Sequence, residues 1–194
     1  MATKKSERIG VIIVMIVLLV GAIGSYVTMA LSIDNEAQEQ ADYLAQYQQY
    51  LDQQKEAAQQ NADESEALPN YSARTFDASQ VDSLSIEVLL PGDGETVTET
   101  DTVNVSYFGW TSDGKIFDST KKLEADDAPV SFSLSSVIEG WTTGVSGQKV
   151  GSVIRLTIPS AQAYGSSGSG IIPADAPLEF IIEIHSTTAA TTES

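Results

Sequence analysis

The chain contains no cysteine and a single histidine among its 194 residues. Without cysteine there is no disulfide and no lipid anchor on an N-terminal thiol, and the lack is compatible with a location outside the cytoplasm. His185 falls at the polar end of an apolar alternating segment and has no evident ligand partners, so no metal site is expected. Basic residues are also scarce. Ten Lys and Arg face 27 Asp and Glu, for a formal net charge of −17. A chain so acidic does not neutralise phosphates, which excludes nucleic acid as a partner and reads as solubility and repulsion from anionic surfaces. Charge is wholly missing between Ile9 and Leu31, and glycine and proline are missing from Ile33 to Ala67.

These gaps divide the chain. An uncharged run of about 23 residues at ~1.5 Å each reaches roughly 34 Å, enough for the hydrocarbon of a bilayer. Residues 9–31 are therefore expected to form a transmembrane helix behind a short cytoplasmic tail, 1–8. Lys4, Lys5 and Arg8 precede the run and Asp34, Glu36, Glu39 and Asp42 follow it, which places the N-terminus inside and the remainder outside. Thr28-Met-Ala30 supports the competing reading of a cleaved signal peptide, but the run exceeds the ~7–15 residues of a signal core. Residues 32–67, rich in Gln, Glu and Ala, are expected to be a helical stalk, with Leu44, Tyr47, Leu51 and Ala58 on one stripe. Tyr43, Tyr50 and Ala57, spaced by seven, offer a coiled-coil seam as the alternative. Pro69 and the polar residues around it end the helix, and 68–83 reads as a linker.

From Leu84 the apolar period becomes two. Val103, Val105 and Tyr107 alternate, as do Val130, Phe132 and Leu134, then Ile154, Leu156 and Ile158, then Leu178, Phe180, Ile182 and Ile184, each read as a strand with one buried face. Pro91-Gly-Asp-Gly94 and Ser112-Asp-Gly114 supply turns. Ile138 to Ser146 is the one compact helical segment, with Trp141 and Val145 four apart. The expected fold is α+β, a curved antiparallel sheet wrapped on one short helix over residues 84–186, with a disordered tail at 187–194.

Five blocks in this region occur in a telling order: Val105-Ser-Tyr-Phe-Gly-Trp110, Asp113-Gly-Lys-Ile-Phe-Asp118, Val137-Ile-Glu-Gly-Trp141, Ala163-Tyr-Gly165 and Gly170-Ile-Ile-Pro173. On periodicity alone Tyr107, Trp141 and Phe180 are core side chains. The order of the blocks gives them a second meaning, because it resembles the FKBP-type peptidyl-prolyl isomerases, the macrolide-binding immunophilins, from about Leu84 to His185. The resemblance implies an apolar pocket with Trp141 as its floor and Tyr107, Phe117, Val137, Ile138 and Phe180 as walls. It further implies that Tyr164 and the Ile138 N–H offer hydrogen bonds to substrate carbonyls, that Asp118 faces the pocket near Tyr107, and that Ile171 and Ile172 sit on a mobile loop above it.

The implied reaction is rotation about Xaa-Pro bonds in exported or surface proteins. It calls for no nucleophile, cofactor or metal, only a water-poor cavity that favours the twisted amide. Macrolide binding is a further expectation carried by the resemblance. A non-catalytic module or chaperone that holds proline segments in the same pocket is the alternative, and an ectodomain with an oligomerising stalk and a vestigial pocket is a third reading. Three departures from the family pattern stand out. Val130 replaces an aromatic wall residue, the loop before Ile171 lacks a histidine, and Lys121 or Lys122 stands where an arginine partner of Asp118 is usual. A lysine does not reproduce the bidentate contact of a guanidinium.

Overall fold

The computed structural model describes residues 36–190, so the expected cytoplasmic tail and membrane helix lie outside the described residues, as does the end of the C-terminal tail. Among the described residues no helix is long and apolar enough to cross a membrane. The chain divides into two compact units, Met1–Leu51 and Asp52–Ser194. A helix, α1, runs over Glu36–Asp63. In the first unit the helix is exposed from residue 40 to 49, and Tyr43 and Tyr47, four apart, stack with ring centroids 6.4 Å apart. The second unit begins with the last turns of α1 and holds everything that follows.

That unit is a six-stranded antiparallel sheet. Its strands are β1 (Ser85–Leu90), β2 (Thr102–Thr111), β3 (Ile116–Ser119), β4 (Val130–Ser133), β5 (Val153–Ile158) and β6 (Leu178–Thr188). The order is β1-β5-β6-β2-β3, and β4 pairs with the first half of β2, so that β3 and β4 share one edge of that strand. The hairpin between β2 and β3 closes because Gly114 takes a φ of 82°, a left-handed conformation that costs a glycine little. Asp113 tightens it by accepting from the Thr111 hydroxyl at 2.6 Å. The side-chain bonds from Lys115 and Thr111 hold the Asp113 carboxyl down to about 2.

A short helix, α2 (Glu139–Val145), packs on one face of the sheet. The approach is close because Gly140 and Gly144 turn toward it: a Cβ at Gly140 would lie 2.3 Å from Ile158 Cγ2, and one at Gly144 2.7 Å from Leu156 Cδ2. The main core lies between them and includes Val103, Val105, Leu134, Ile154, Leu156 and Ile182.

The alternating strands were expected to bury one face, yet β2 is buried on both. Phe108 and Trp110 point away from α2 and stack at 5.0 Å, joined by Val153 and Ile181. What covers them is the segment expected to be a linker. Leu68, 2% exposed, sits in this second core, and Tyr71, Ala73 and Phe76 pack around it. The Trp110 indole N–H donates to the Arg74 carbonyl at 2.9 Å, and the Phe76 N–H to the Ser112 carbonyl at 3.1 Å. Residues 64–77 thus form a strap across the back of the sheet, and the unit extends well before Leu84. At the other end β6 continues to Thr188, two residues past the expected end of the domain.

Truncating Leu68 to alanine removes a fully enclosed side chain from the second core, and the expected loss is about 2–5 kcal/mol of unfolding free energy. Urea denaturation checks this: the midpoint should fall with the slope unchanged, since no other surface is freed. A midpoint equal to that of the wild type would mean that the strap is not part of the cooperative unit.

Candidate functional site

Five aromatic rings meet where β2, β3, β4, α2 and β6 converge. Trp141 is the hub. Its ring stands edge-on to Tyr107 at 5.2 Å, to Phe180 at 5.4 Å and to Phe132 at 5.6 Å, with interplanar angles of 79–89°. Tyr107 and Phe132 meet at 5.8 Å, and Phe117 and Phe180 at 5.6 Å. Such edge-to-face pairs add to area burial and fix ring orientation, which makes the group a shaped surface as well as a greasy one. Gly109 makes room for it, since a Cβ there would lie 2.4 Å from the Phe180 ring and 2.6 Å from that of Phe117.

Around the rings, Val137 and Ile138 are half-buried at the start of α2, where Ile138 occupies the N-cap with an extended backbone. Its N–H has no acceptor within the chain among the described residues. Ile172 is buried against the same core and Tyr164 packs beside it half-buried, whereas Ile171 lines a neighbouring groove of about 480 Å³ with Phe117, Ile116 and the Gln59 and Ala62 of α1. The glycine and serine run before Ile171, expected to be a mobile loop, is shaped by hydrogen bonds. Ser169 and Ile172 exchange backbone bonds of 3.0 and 2.8 Å, and the Asp175 N–H donates to the Gly165 carbonyl at 2.9 Å. Gly168 cannot be replaced without a clash, because its Cβ would fall 2.4 Å from the Ile172 carbonyl oxygen.

Asp118 is the carboxylate of the site and is fully engaged. Oδ2 accepts from the Tyr107 hydroxyl, while Oδ1 accepts from the Ser119 N–H at 2.9 Å and from the Asn61 side-chain amide at 2.8 Å. The Lys122 ammonium lies 3.5 Å from Oδ1. Burial, and then the negative charge of Asp118, push the Tyr107 hydroxyl well above the ordinary phenol value and raise that of Tyr164. Both phenols are therefore neutral donors throughout the physiological range. Burial pulls the Lys122 ammonium down, against the attraction of Asp118. Among the described residues no group of three or more acidic or histidine side chains is placed to hold a metal ion.

Of the nine side chains expected at the site, Tyr107, Phe117, Trp141 and Phe180 are in the ring cluster, Asp118 is bonded to Tyr107, and Val137, Ile138, Tyr164 and Ile172 pack in the same main core. Two participants were not anticipated. Phe132 stands against Trp141 and Tyr107, so a wall is aromatic although Val130 pairs with Val105 nearby. The alternation of Val130, Phe132 and Leu134 contained that signal. Asn61, on the expected stalk, had no sequence signal at all, because its neighbours are ordinary helix-surface residues.

Comparison with known proteins agrees with this geometry. Residues 93–185 match the FKBP-type peptidyl-prolyl cis-trans isomerase family. The chain is 38% identical over 122 residues to a probable FKBP-type 25 kDa peptidyl-prolyl cis-trans isomerase of Pseudomonas aeruginosa, an alignment covering 62% of this chain and 51% of that one. It is 35% identical over 130 residues to the isomerase FkpA of Escherichia coli, covering 67% and 47% respectively. The chain thus spans about half the length of these curated relatives. A crystal structure of a peptidyl-prolyl cis-trans isomerase from Pseudomonas syringae pv. tomato superposes with a TM-score of 0.50 at 33% identity, covering 71% of this chain and 95% of that one.

The raised phenols set the sign of the alkaline response. A folded-state pKa above the ordinary value means that the folded chain keeps a proton the unfolded chain releases, so this stability is whole below about pH 10 and is lost as pH rises beyond it. Lys122, held low, contributes with the opposite sign. The urea midpoint should therefore fall between about pH 8 and about pH 10.5, and fall less in a Tyr107→Phe chain, which has no phenol to ionise there. An equal fall in both chains would show that Tyr107 is not held in its neutral form by the fold.

Proposed function

Because the chain belongs to the FKBP-type peptidyl-prolyl cis-trans isomerases, we propose that its second unit catalyses cis-trans rotation about Xaa-Pro bonds of polypeptides. The observation that carries the reading is the ring cluster centred on Trp141, joined at its edge to the Asp118 carboxylate, which accepts from Tyr107 and Asn61. Rotation must cross a barrier of ~18–20 kcal/mol set by amide resonance. As the amide twists, conjugation is lost and its carbonyl becomes less polar, so an apolar and water-poor surface favours the twisted form over the planar one. The proline ring meets the face of Trp141 between Phe117, Tyr107 and Phe180. The Ile138 N–H and the Tyr164 hydroxyl are donors for the substrate carbonyls that flank the rotating bond. Asp118, with its oxygens occupied, orients Tyr107 and takes no proton.

The same proposal places this unit outside the cytoplasm on a membrane anchor formed by residues 9–31, with exported or surface proteins as its clients. The uncharged run, the basic residues before it and the acidic residues after it support this. Slow prolyl isomerisation limits many folding reactions, which gives such an enzyme a use there.

In an isomerisation assay on a proline peptide, the rate should change little between about pH 6 and 8, since the reaction needs no titrating acid or base. Phe117→Ala should reduce kcat/KM more than Asp118→Asn, with Tyr164→Phe also impaired and the folds intact. A bell-shaped pH profile, or an inactive Asp118→Asn beside a fully active Phe117→Ala, would contradict the mechanism. Binding of the peptide without turnover would instead favour a proline-segment binding module.

The anchor is tested in whole cells. Protease added from outside should remove the region 84–186 and leave an N-terminal tag intact. Protection of that region in intact cells would overturn the orientation, and a soluble product beginning near Leu31 would favour a cleaved signal peptide.

A further inference from the structure

The isomerase site of this chain includes a residue from outside the sheet and its helix. The last turn of α1 carries Asn61, whose side-chain N–H donates to Asp118 Oδ1 at 2.8 Å. Its amide orientation is fixed from the other end, where Oδ1 accepts from the Lys122 ammonium at 2.7 Å. Lys122 also donates to the Ser65 hydroxyl at 2.8 Å, and that hydroxyl donates to the Asn61 carbonyl at 2.7 Å, closing a ring of bonds. Backbone bonds clamp the same region: the Leu123 N–H donates to the Glu64 carbonyl at 2.8 Å, and the Glu66 N–H to the Lys121 carbonyl at 3.0 Å. The end of α1 is therefore locked to the loop after β3, which also brings Lys122 to 3.5 Å from Asp118.

We propose that Asn61 is a positioning residue for this site, acting through Asp118 on Tyr107. A lysine is a point charge on a flexible stem and leaves the orientation of a carboxylate loose. The planar carboxamide of Asn61 supplies the directed donor that Lys122 lacks, and Lys122 in turn aligns the carboxamide. Asp118 then presents Oδ2 to the Tyr107 hydroxyl at a fixed angle, and Tyr107 stands at the wall of the ring cluster. The isomerase site is thus complete only when the last turn of α1 is in place, and anything that frees that turn lowers activity without touching a pocket ring.

This role rests on the isomerase reading above, and the tests separate the two. In the full chain, Asn61→Ala should lower kcat/KM roughly threefold to tenfold, the scale of one ordinary hydrogen bond, since the lost contact acts on the site only through Asp118. Asn61→Asp, isosteric and still able to pair with Lys122, replaces the donor by an oxygen facing Asp118 and should lose at least as much, whereas a mere space-filler would be rescued by it. In an Asp118→Asn background the Asn61→Ala change should have little further effect, because both act on one contact. Gln60→Ala, on the same turn but bonded outward to Glu64, should leave the rate unchanged. An Asn61→Ala chain as active as an active wild type, a fully rescued Asn61→Asp, or additive losses in the double variant would each overturn the positioning role alone. A wild-type chain that does not isomerise the peptide would overturn the function and this role together.

Discussion

The close approach of a seven-residue helix to a sheet governs this molecule. Gly140 and Gly144 put no side chain of their own between α2 and the sheet, so Ile158 and Leu156 fill the space that Cβ atoms would need. Trp141, lying between the two glycines in sequence, is thereby held against the sheet with its ring at the centre of the aromatic cluster. A larger residue at either glycine would lift the helix and the tryptophan together. On the strand side Gly109 does the same service for Phe117 and Phe180. Shape at the site thus comes from what is missing at three positions as much as from the rings themselves.

The polar part of the site follows a different logic. A carboxylate beside a buried aromatic cluster is costly unless its lone pairs are met. Here the Ser119 backbone, Tyr107, Asn61 and Lys122 all meet Asp118. The result is a rigid edge to an apolar surface, with neutral phenols at Tyr107 and Tyr164 as its donors. A group so fully bonded is suited to orienting a neighbour and poorly suited to exchanging protons, which fits a reaction that breaks no covalent bond.

Much of this was legible in the sequence. The period-two segments ending in Tyr107, Leu134, Ile158 and Ile184 mark four strands, and the five blocks in their order carry the family and eight of the nine side chains expected at the site, Phe180 coming from the last of those strands. What was not legible has a common cause. Leu68, Tyr71 and Phe76 lie in a stretch with a proline and no period, so nothing local shows that they cover Phe108 and Trp110 on the far face of β2. Period-two alternation identifies one buried face but is silent about a second face covered by an irregular strap. Asn61 is hidden for a related reason. Its partner Asp118 is 57 residues away in sequence, and the contact exists only because the strap returns the chain to the edge of β3.

The central claim is that the amide rotates in an apolar, preorganised surface with no proton transferred as it does so. The most direct measurement compares kcat/KM for a proline peptide in light and heavy water at matched acidity. The account predicts the same rate in both solvents, since neither Asp118 nor either phenol gives up or takes a proton. A markedly slower reaction in heavy water would place a proton in flight in the transition state and contradict it.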